Sequence, residues 1–92
     1  MGNKGRTRLF VRMPRFYFDT YDDDRSVPDG QGIVLSDLQE AREEAIKALP
    51  DMARDGLPNR DYREFVVDVR DEAGQKVLRA RLTLIVESLP DA

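Results

Sequence analysis

The chain has 92 residues, 40% of them hydrophobic and 36% charged, with a formal net charge of −3. That length supports one hydrophobic core, not two. With no Cys and no His, disulfide staples, Cys/His zinc sites, thiol nucleophiles and Ser-His-Asp triads are all excluded. No apolar run reaches the roughly 18 residues of a membrane span, and the basic N-terminus lacks the apolar stretch of a secretory signal. A soluble cytoplasmic domain is the expectation.

The first 15 residues carry Lys4, Arg6, Arg8, Arg12 and Arg15 and no acid. The remainder holds 10 basic and 18 acidic residues, so a basic tail precedes an acidic domain. Gly2, Asn3 and Gly5 make residues 1–12 poor at forming structure. Met13 stands directly before the first strand-like run and is an alternative translation start. The expected organisation is a disordered tail over 1–12, a single domain over 13–89 and a short end over 90–92.

Arg15-Phe16-Tyr17-Phe18-Asp19-Thr20-Tyr21 is dense in aromatic residues and reads as a strand. Its period of two puts Phe16, Phe18 and Thr20 on one face and Tyr17, Asp19 and Tyr21 on the other. Asp22-Asp23-Asp24 is expected to end it, and Pro28, Gly30 and Gly32 mark the following stretch as loop. Ile33-Val34-Leu35 is either a short edge strand or the lead-in to the helix. Ser36-Asp37-Leu38-Gln39 has the pattern of a capping box, with Ser36 as the cap. From Asp37 to about Arg54, Leu38, Ala41, Ala45, Leu49 and Met52 form one apolar stripe. Glu43 and Lys47 are set for an i, i+4 pair on the outer face. Pro50 removes the bond to the Ile46 carbonyl, so a kink or a separate last turn is expected there.

Tyr62–Arg70 is the second clear strand, with Phe65, Val67 and Val69 facing one way and Glu64, Val66, Asp68 and Arg70 the other. Asp71-Glu72-Ala73-Gly74 reads as a tight hairpin loop. The third strand runs from about Lys76 to Glu87, with Leu78, Ala80, Leu82, Leu84 and Val86 on one face. For both strands to keep their apolar faces together, paired residue numbers must sum to an odd value. A four-residue loop gives 145, which places Phe65 opposite Ala80, Val67 opposite Leu78 and Glu64 opposite Arg81.

These elements make an α+β fold. One amphipathic helix, kinked near Pro50, packs on one face of a three- to four-stranded, mainly antiparallel sheet. The expected core is Phe16, Phe18, Leu38, Ala41, Ala45, Leu49, Met52, Phe65, Val67, Val69, Leu78, Ala80, Leu82 and Leu84. No second helix is available for the other sheet face, which is therefore solvated or an interface.

Met13-Pro14-Arg15-Phe16-Tyr17-Phe18-Asp19, Leu35-Ser36-Asp37-Leu38-Gln39-Glu40-Ala41 and Val66-Val67-Asp68-Val69-Arg70-Asp71-Glu72-Ala73-Gly74 together resemble a small bacterial domain family of unknown function. That likeness spans residues 13 to about 89 and brings no catalytic residues with it. A fainter resemblance is to HicB-type antitoxins, which also place a strand, an acidic turn and an Asp-Leu segment before a helix. No appended helix-turn-helix accompanies it here.

The chemistry-bearing patterns are few. Asp22, Asp23, Asp24 and Asp29 offer carboxylates, but an EF-hand loop from Asp22 needs Gly at 27 and a carboxylate at 33. Val27 and Ile33 stand there, so a solvated acidic turn is expected instead. Gly30-Gln31-Gly32 lacks the Lys-Ser/Thr of a phosphate loop. Asp19 and Asp68 share the open face, where a carboxylate pair serves acid/base or metal chemistry, or else simply ion-pairs across strands. No nucleophile–base pair is visible, so the chain is not expected to be an enzyme, nor to hold a metal or cofactor. The open face, with Tyr17, Asp19, Tyr21, Val66, Asp68, Arg79, Arg81 and Ile85, is the expected interaction surface. The function expected from this is a small non-enzymatic protein-interaction or regulatory module, with a protein partner or a homodimer. The alternative is nucleic-acid binding through the basic tail or the Arg79/Arg81 face.

Overall fold

A computed structural model describes residues 13–23, 25–56 and 60–90. The expectation of a disordered tail over 1–12 lies outside the described residues. The elements, in order, are β1 (Arg15–Asp22), β2 (Arg25–Val27), β3 (Ile33–Val34), α1 (Leu38–Gly56), β4 (Tyr62–Arg70) and β5 (Lys76–Ile85). The five strands form one sheet in the order β2-β1-β4-β5, with β3 also on β1, and every pairing is antiparallel. The fold is α+β as expected, with more strands than the three or four read from the sequence.

The extra strands lie along the outer edge of β1. Asp22 pairs with Arg25 across a tight turn, and Asp23 in that turn has φ of 30°, a conformation Asp tolerates better than most residues. The stretch from Asp22 to Gly32 is therefore not all loop: Arg25, Ser26 and Val27 pair with Asp22, Tyr21 and Thr20. All three β2 residues are exposed, so backbone pairing holds them rather than burial. Ile33-Val34 is an edge strand on Arg15 and Phe16, and Leu35 continues the ladder by donating to the Pro14 carbonyl at 2.9 Å.

Helix α1 starts one residue later than the pattern implied. Asp37, not Ser36, is the cap: its carboxylate accepts the Glu40 amide at 2.9 Å. Glu40 reaches back to the Ser36 amide at 2.7 Å, one residue before the cap, so only the forward half of a capping box forms and the return bond falls outside it. Lys47 pairs with Glu44 at 3.0 Å rather than with Glu43. The helix runs through Pro50 as a single element, with no separate last turn. Pro50 and Ile46 are both exposed, so water can meet the carbonyl that the ring leaves without a donor.

Helix α1 packs mainly on β4. Ala41, Ala45, Leu49, Phe16, Leu35, Phe65, Val67 and Val69 form the buried core, and Phe18, Ala48, Met52, Ala53, Leu78 and Ala80 pack against it. Three expected core residues fall outside, among them Leu84, which is half-buried on β5 but not packed against this core. Leu38, at the helix start, is 43% exposed, and Leu82, on β5, is 39% exposed. The alternation of β5 was read correctly, but α1 covers the middle of the sheet and leaves its last strand half bare. Arg63 shares the helix-side face of β4 and is buried. Its guanidinium donates to Asp23 at 2.5 Å and to the Gly56 carbonyl at the end of α1, a favourable place for a cation.

The β4–β5 register sums to 147, not 145: Phe65 faces Leu82, Val67 faces Ala80 and Val66 faces Arg81. Parity holds, so the faces are as expected. The slip of two comes from a longer connection, with an irregularity between Val69 and Arg70. Asp71 organises it by accepting the Ala73 and Gln75 amides at 2.9 Å each, and Gly74 takes φ of 84°. Glu64 and Arg81 are not directly opposed, yet they still pair diagonally at 3.4 Å.

Candidate functional site

The face of the sheet away from α1 carries three cross-strand rows: Tyr17–Arg70–Lys76, Asp19–Asp68–Arg79 and Tyr21–Val66–Arg81. Seven of the eight expected interaction residues therefore lie together, because they hold alternate positions on β1, β4 and β5. The eighth, Ile85, lies opposite Tyr62 at the end of β5 and is 59% exposed.

Three of those residues are not accessible. Asp19, Val66 and Asp68 are buried, so the face a partner meets is made by the side chains above them. Asp19 and Asp68 are directly opposed in register, and two carboxylates so placed repel unless cations intervene. Arg70 grips Asp19 with two bonds, at 2.7 and 3.1 Å. Arg79 grips Asp68 with two, at 2.6 and 2.8 Å, and Lys76 adds a third cation at 3.0 Å from Asp68. The cations also stack on the aromatic residues: Arg70 sits 4.8 Å from the Tyr17 ring centre and Lys76 sits 5.7 Å from that of Tyr21.

The electrostatics follow from these bonds. The Arg79 guanidinium, against the opposing effect of burial and with help from Lys76, holds Asp68 at about 2. Hydrogen bonding to Arg70 similarly lowers Asp19. The same pairs hold Arg70, Lys76 and Arg79 more firmly charged than usual. An acid/base couple needs one carboxyl that keeps its proton near neutral pH, and this pair is pushed the other way. The arrangement is the cross-strand ion-pairing alternative.

Asp29 extends the network to the edge of β1. Its carboxylate accepts from the amides of Phe18 at 3.0 Å, Gln31 at 2.9 Å and Gly32 at 3.1 Å. Burial raises its pKa, but these three donors outweigh that and lower it. Its own amide donates to Asp19 at 2.8 Å and its carbonyl accepts from Arg70 at 2.8 Å. Gly32 is required beside it: φ is 71°, and a Cβ would lie 2.8 Å from the Phe16 carbonyl. Asp23 and Asp29 are thus structural ligands of Arg63 and of the loop, a correction to the expected solvated acidic turn.

Two other surfaces stand out. A cleft of about 300 Å³ lies between the end of α1 and the β1–β2 hairpin, lined by Thr20, Asp22, Arg25, Val27, Met52, Asp55 and Gly56. The other is the outer edge of β5. Val77, Leu82 and Ile85 along it, and Val86 and Leu89 just beyond it, are all exposed. No helix among the described residues is long and apolar enough to cross a membrane.

Residues 15–83 match the family described as a domain of unknown function, DUF6894. The chain belongs to this family. The matched span begins at the first residue of β1 and takes in every element down to Thr83 of β5. It thus includes the whole Asp19–Asp29–Arg70 network and the Asp68–Arg79–Lys76 cluster of this DUF6894 domain. The match is to DUF6894 and not to HicB-type antitoxins. No curated protein and no solved structure matches the chain.

Sequence reasoning missed Arg70, Lys76, Asp29 and Arg63 as organising residues. Alternation had put Arg70 on the open face, but its partners lie 51 and 41 positions away. The signal that was present is the run of Asp and Arg at alternate positions of adjoining strands, together with Arg63 on the apolar face of β4, since charge on a paired strand requires a partner.

Proposed function

We propose that this DUF6894 domain is a non-enzymatic protein-interaction module that binds through the free edge of β5 and the adjoining end of the open face. The observation that carries this reading is the ten-residue β5, paired on one side only among the described residues, with Leu82 and Ile85 exposed along it. A strand with one bare edge offers a row of backbone donors and acceptors for a further strand, and exposed apolar side chains give that contact an area to bury. The carboxylates of the open face support a binding role over catalysis, because each is engaged with a cation. The same pairing argues against nucleic-acid binding at the Arg79/Arg81 face: Asp68 neutralises Arg79 and Glu64 stands beside Arg81, where phosphate would have to compete.

Site-specific photo-crosslinking in the native cell tests this. A photo-reactive residue in place of Ile85 is expected to trap a discrete species, whereas one in place of Glu43, on the outer face of α1, traps none. Equal labelling at the two positions, or none at either, overturns the reading.

A further inference from the structure

We propose that the occupant of the β5 edge is a second copy of this chain, paired antiparallel about a twofold axis with Thr83 opposite Thr83. This rests on the interaction-module reading and names its partner. The argument begins with which backbone groups are free. Val86 donates to the Asp61 carbonyl at 2.7 Å, on the β4 side. Backbone polar groups alternate in direction along a strand. The even-numbered residues from Leu78 to Val86 therefore turn their N–H and C=O toward β4, and Arg79, Arg81, Thr83 and Ile85 turn theirs outward. The outward groups lie along a strand that nothing covers among the described residues.

The charge pattern of this segment suits self-pairing. Lys76, Arg79 and Arg81 fill its first half, while Leu82, Leu84, Ile85 and Val86 fill its second, followed by Glu87. Antiparallel pairing with itself sets the basic half of one copy against the apolar and acidic half of the other. Parallel pairing in register would align the cations. For the sheet to continue with both helices on one side, paired numbers must sum to an even value. A sum of 160 opposes Arg79 to Arg81, and 162 opposes Arg81 to itself. Like charges directly opposed are unfavourable. A sum of 164 avoids this but sets Arg79 against Ile85 and Glu87 against Val77.

A sum of 166 opposes no like charges and gives one arginine of each copy an acidic partner. Arg79 meets Glu87 of the partner subunit, Arg81 meets Ile85 of the partner subunit, and Thr83 meets its own copy. On the helix side Leu82 meets Leu84 of the partner subunit and Ala80 meets Val86 of the partner subunit. This register also uses the residues beyond Ile85, where Val86 and Leu89 are 51% and 66% exposed. The flank of α1 above β5 supports the same contact. Met52 and Asp55 line the cleft on the β1–β2 side, so helical periodicity turns Ile46, which is 46% exposed, toward β5. An exposed Ile46 and an exposed Leu82 thus face the side a second copy would occupy. The result is a ten-stranded sheet with an isologous contact.

The test is sedimentation of the full chain at micromolar concentration, with two variants. The wild type is expected to have twice the chain mass of 10.6 kDa. Thr83→Pro is expected to halve it while leaving the far-ultraviolet circular dichroism unchanged, because the amide it removes points away from β4 and proline is tolerated on such an edge. Thr83→Cys is expected to convert most of the protein to a covalent dimer under mild oxidation. The chain has no other Cys, and directly opposed hydrogen-bonded residues lie about 5.5 Å apart, within disulfide reach. Arg81→Cys is expected to give little, since its opposite residue is Ile85. If Thr83→Pro unfolds, the two cysteine variants decide between them. A monomeric wild type overturns the proposal. So does a dimer that survives Thr83→Pro and does not crosslink at position 83, since it then uses another surface. In either case a different protein trapped at Ile85 keeps the module reading alive, and nothing trapped there ends both.

Discussion

The two strands that flank β4 share a design but differ at their outer edges. On each side a buried aspartate, Asp19 or Asp68, is clamped by an arginine on the open face. On the β1 side the outward backbone is then fully used: β2 takes Thr20 to Asp22, Asp29 takes the Phe18 amide, and β3 takes Arg15 and Phe16. On the β5 side nothing comparable follows among the described residues. A sheet edge can be closed by very little chain, here two short strands and one carboxylate. Leaving the longer β5 bare is therefore a difference between the two sides that the fold had the means to remove.

Substitutions at matched positions sharpen that contrast. Phe16→Ala, in the buried core of the closed side, is expected to cost about 3–4 kcal/mol, while Leu82→Ala, half exposed on the open side, costs about 1 kcal/mol in the monomer. Chemical denaturation of both variants measures this, and equal losses would mean that α1 shields the two flanks alike. Asp29→Ala removes the acceptor of three amides and is expected to cost about 2–3 kcal/mol. A loss below about 0.5 kcal/mol would show that β2 and β3 close the edge without it.

A further expected effect concerns pH. Asp68 is lowered from 3.8 to about 2, so its contribution to stability is fully present above the unfolded value near 4. It is lost as pH falls through the folded value. With the Asp68 side chain 1% exposed, that shift corresponds to about 2 kcal/mol at neutral pH. Asp68→Asn should lower stability at pH 7 by about that amount and flatten its dependence between about pH 4 and pH 2. Melting curves across that range check it, and an unchanged slope would remove Asp68 as the source.

Legibility in the sequence tracked hydrophobic periodicity. The bounds of β4 and the start of β5 were readable because Phe65-x-Val67-x-Val69 and Leu78-x-Ala80-x-Leu82 alternate cleanly. The odd-sum rule then put the correct residues on each face, even though the longer connection and the bulge beside Val69 together moved the register by two. Strand β2 was invisible because Arg25, Ser26 and Val27 bury no side chain and so leave no periodic trace. Leu82 was misplaced for a different reason. Alternation says which face a residue takes, but not how far a helix lying across that face extends sideways. Of the open face, its membership was legible and its depth was not. Asp19 and Asp68 read as surface charges, and only the pairing of β1 with β4 and β4 with β5 brings Arg70, Arg79 and Lys76 over them.

Arg63 joins three places that are distant along the chain: the β1–β2 turn at Asp23, the end of α1 at Gly56 and the start of β4. Asp23 lies 40 positions from Arg63, so this junction forms only as β4 is brought back onto β1, a non-local closure late among the folding events. Once formed, it ties the last turn of α1 to the hairpin. The amides of the two should then exchange with solvent through a common opening rather than by separate fraying. The end of the helix and the tip of the hairpin, each weakly held by its own contacts, come to behave as one kinetic unit because a single guanidinium spans them.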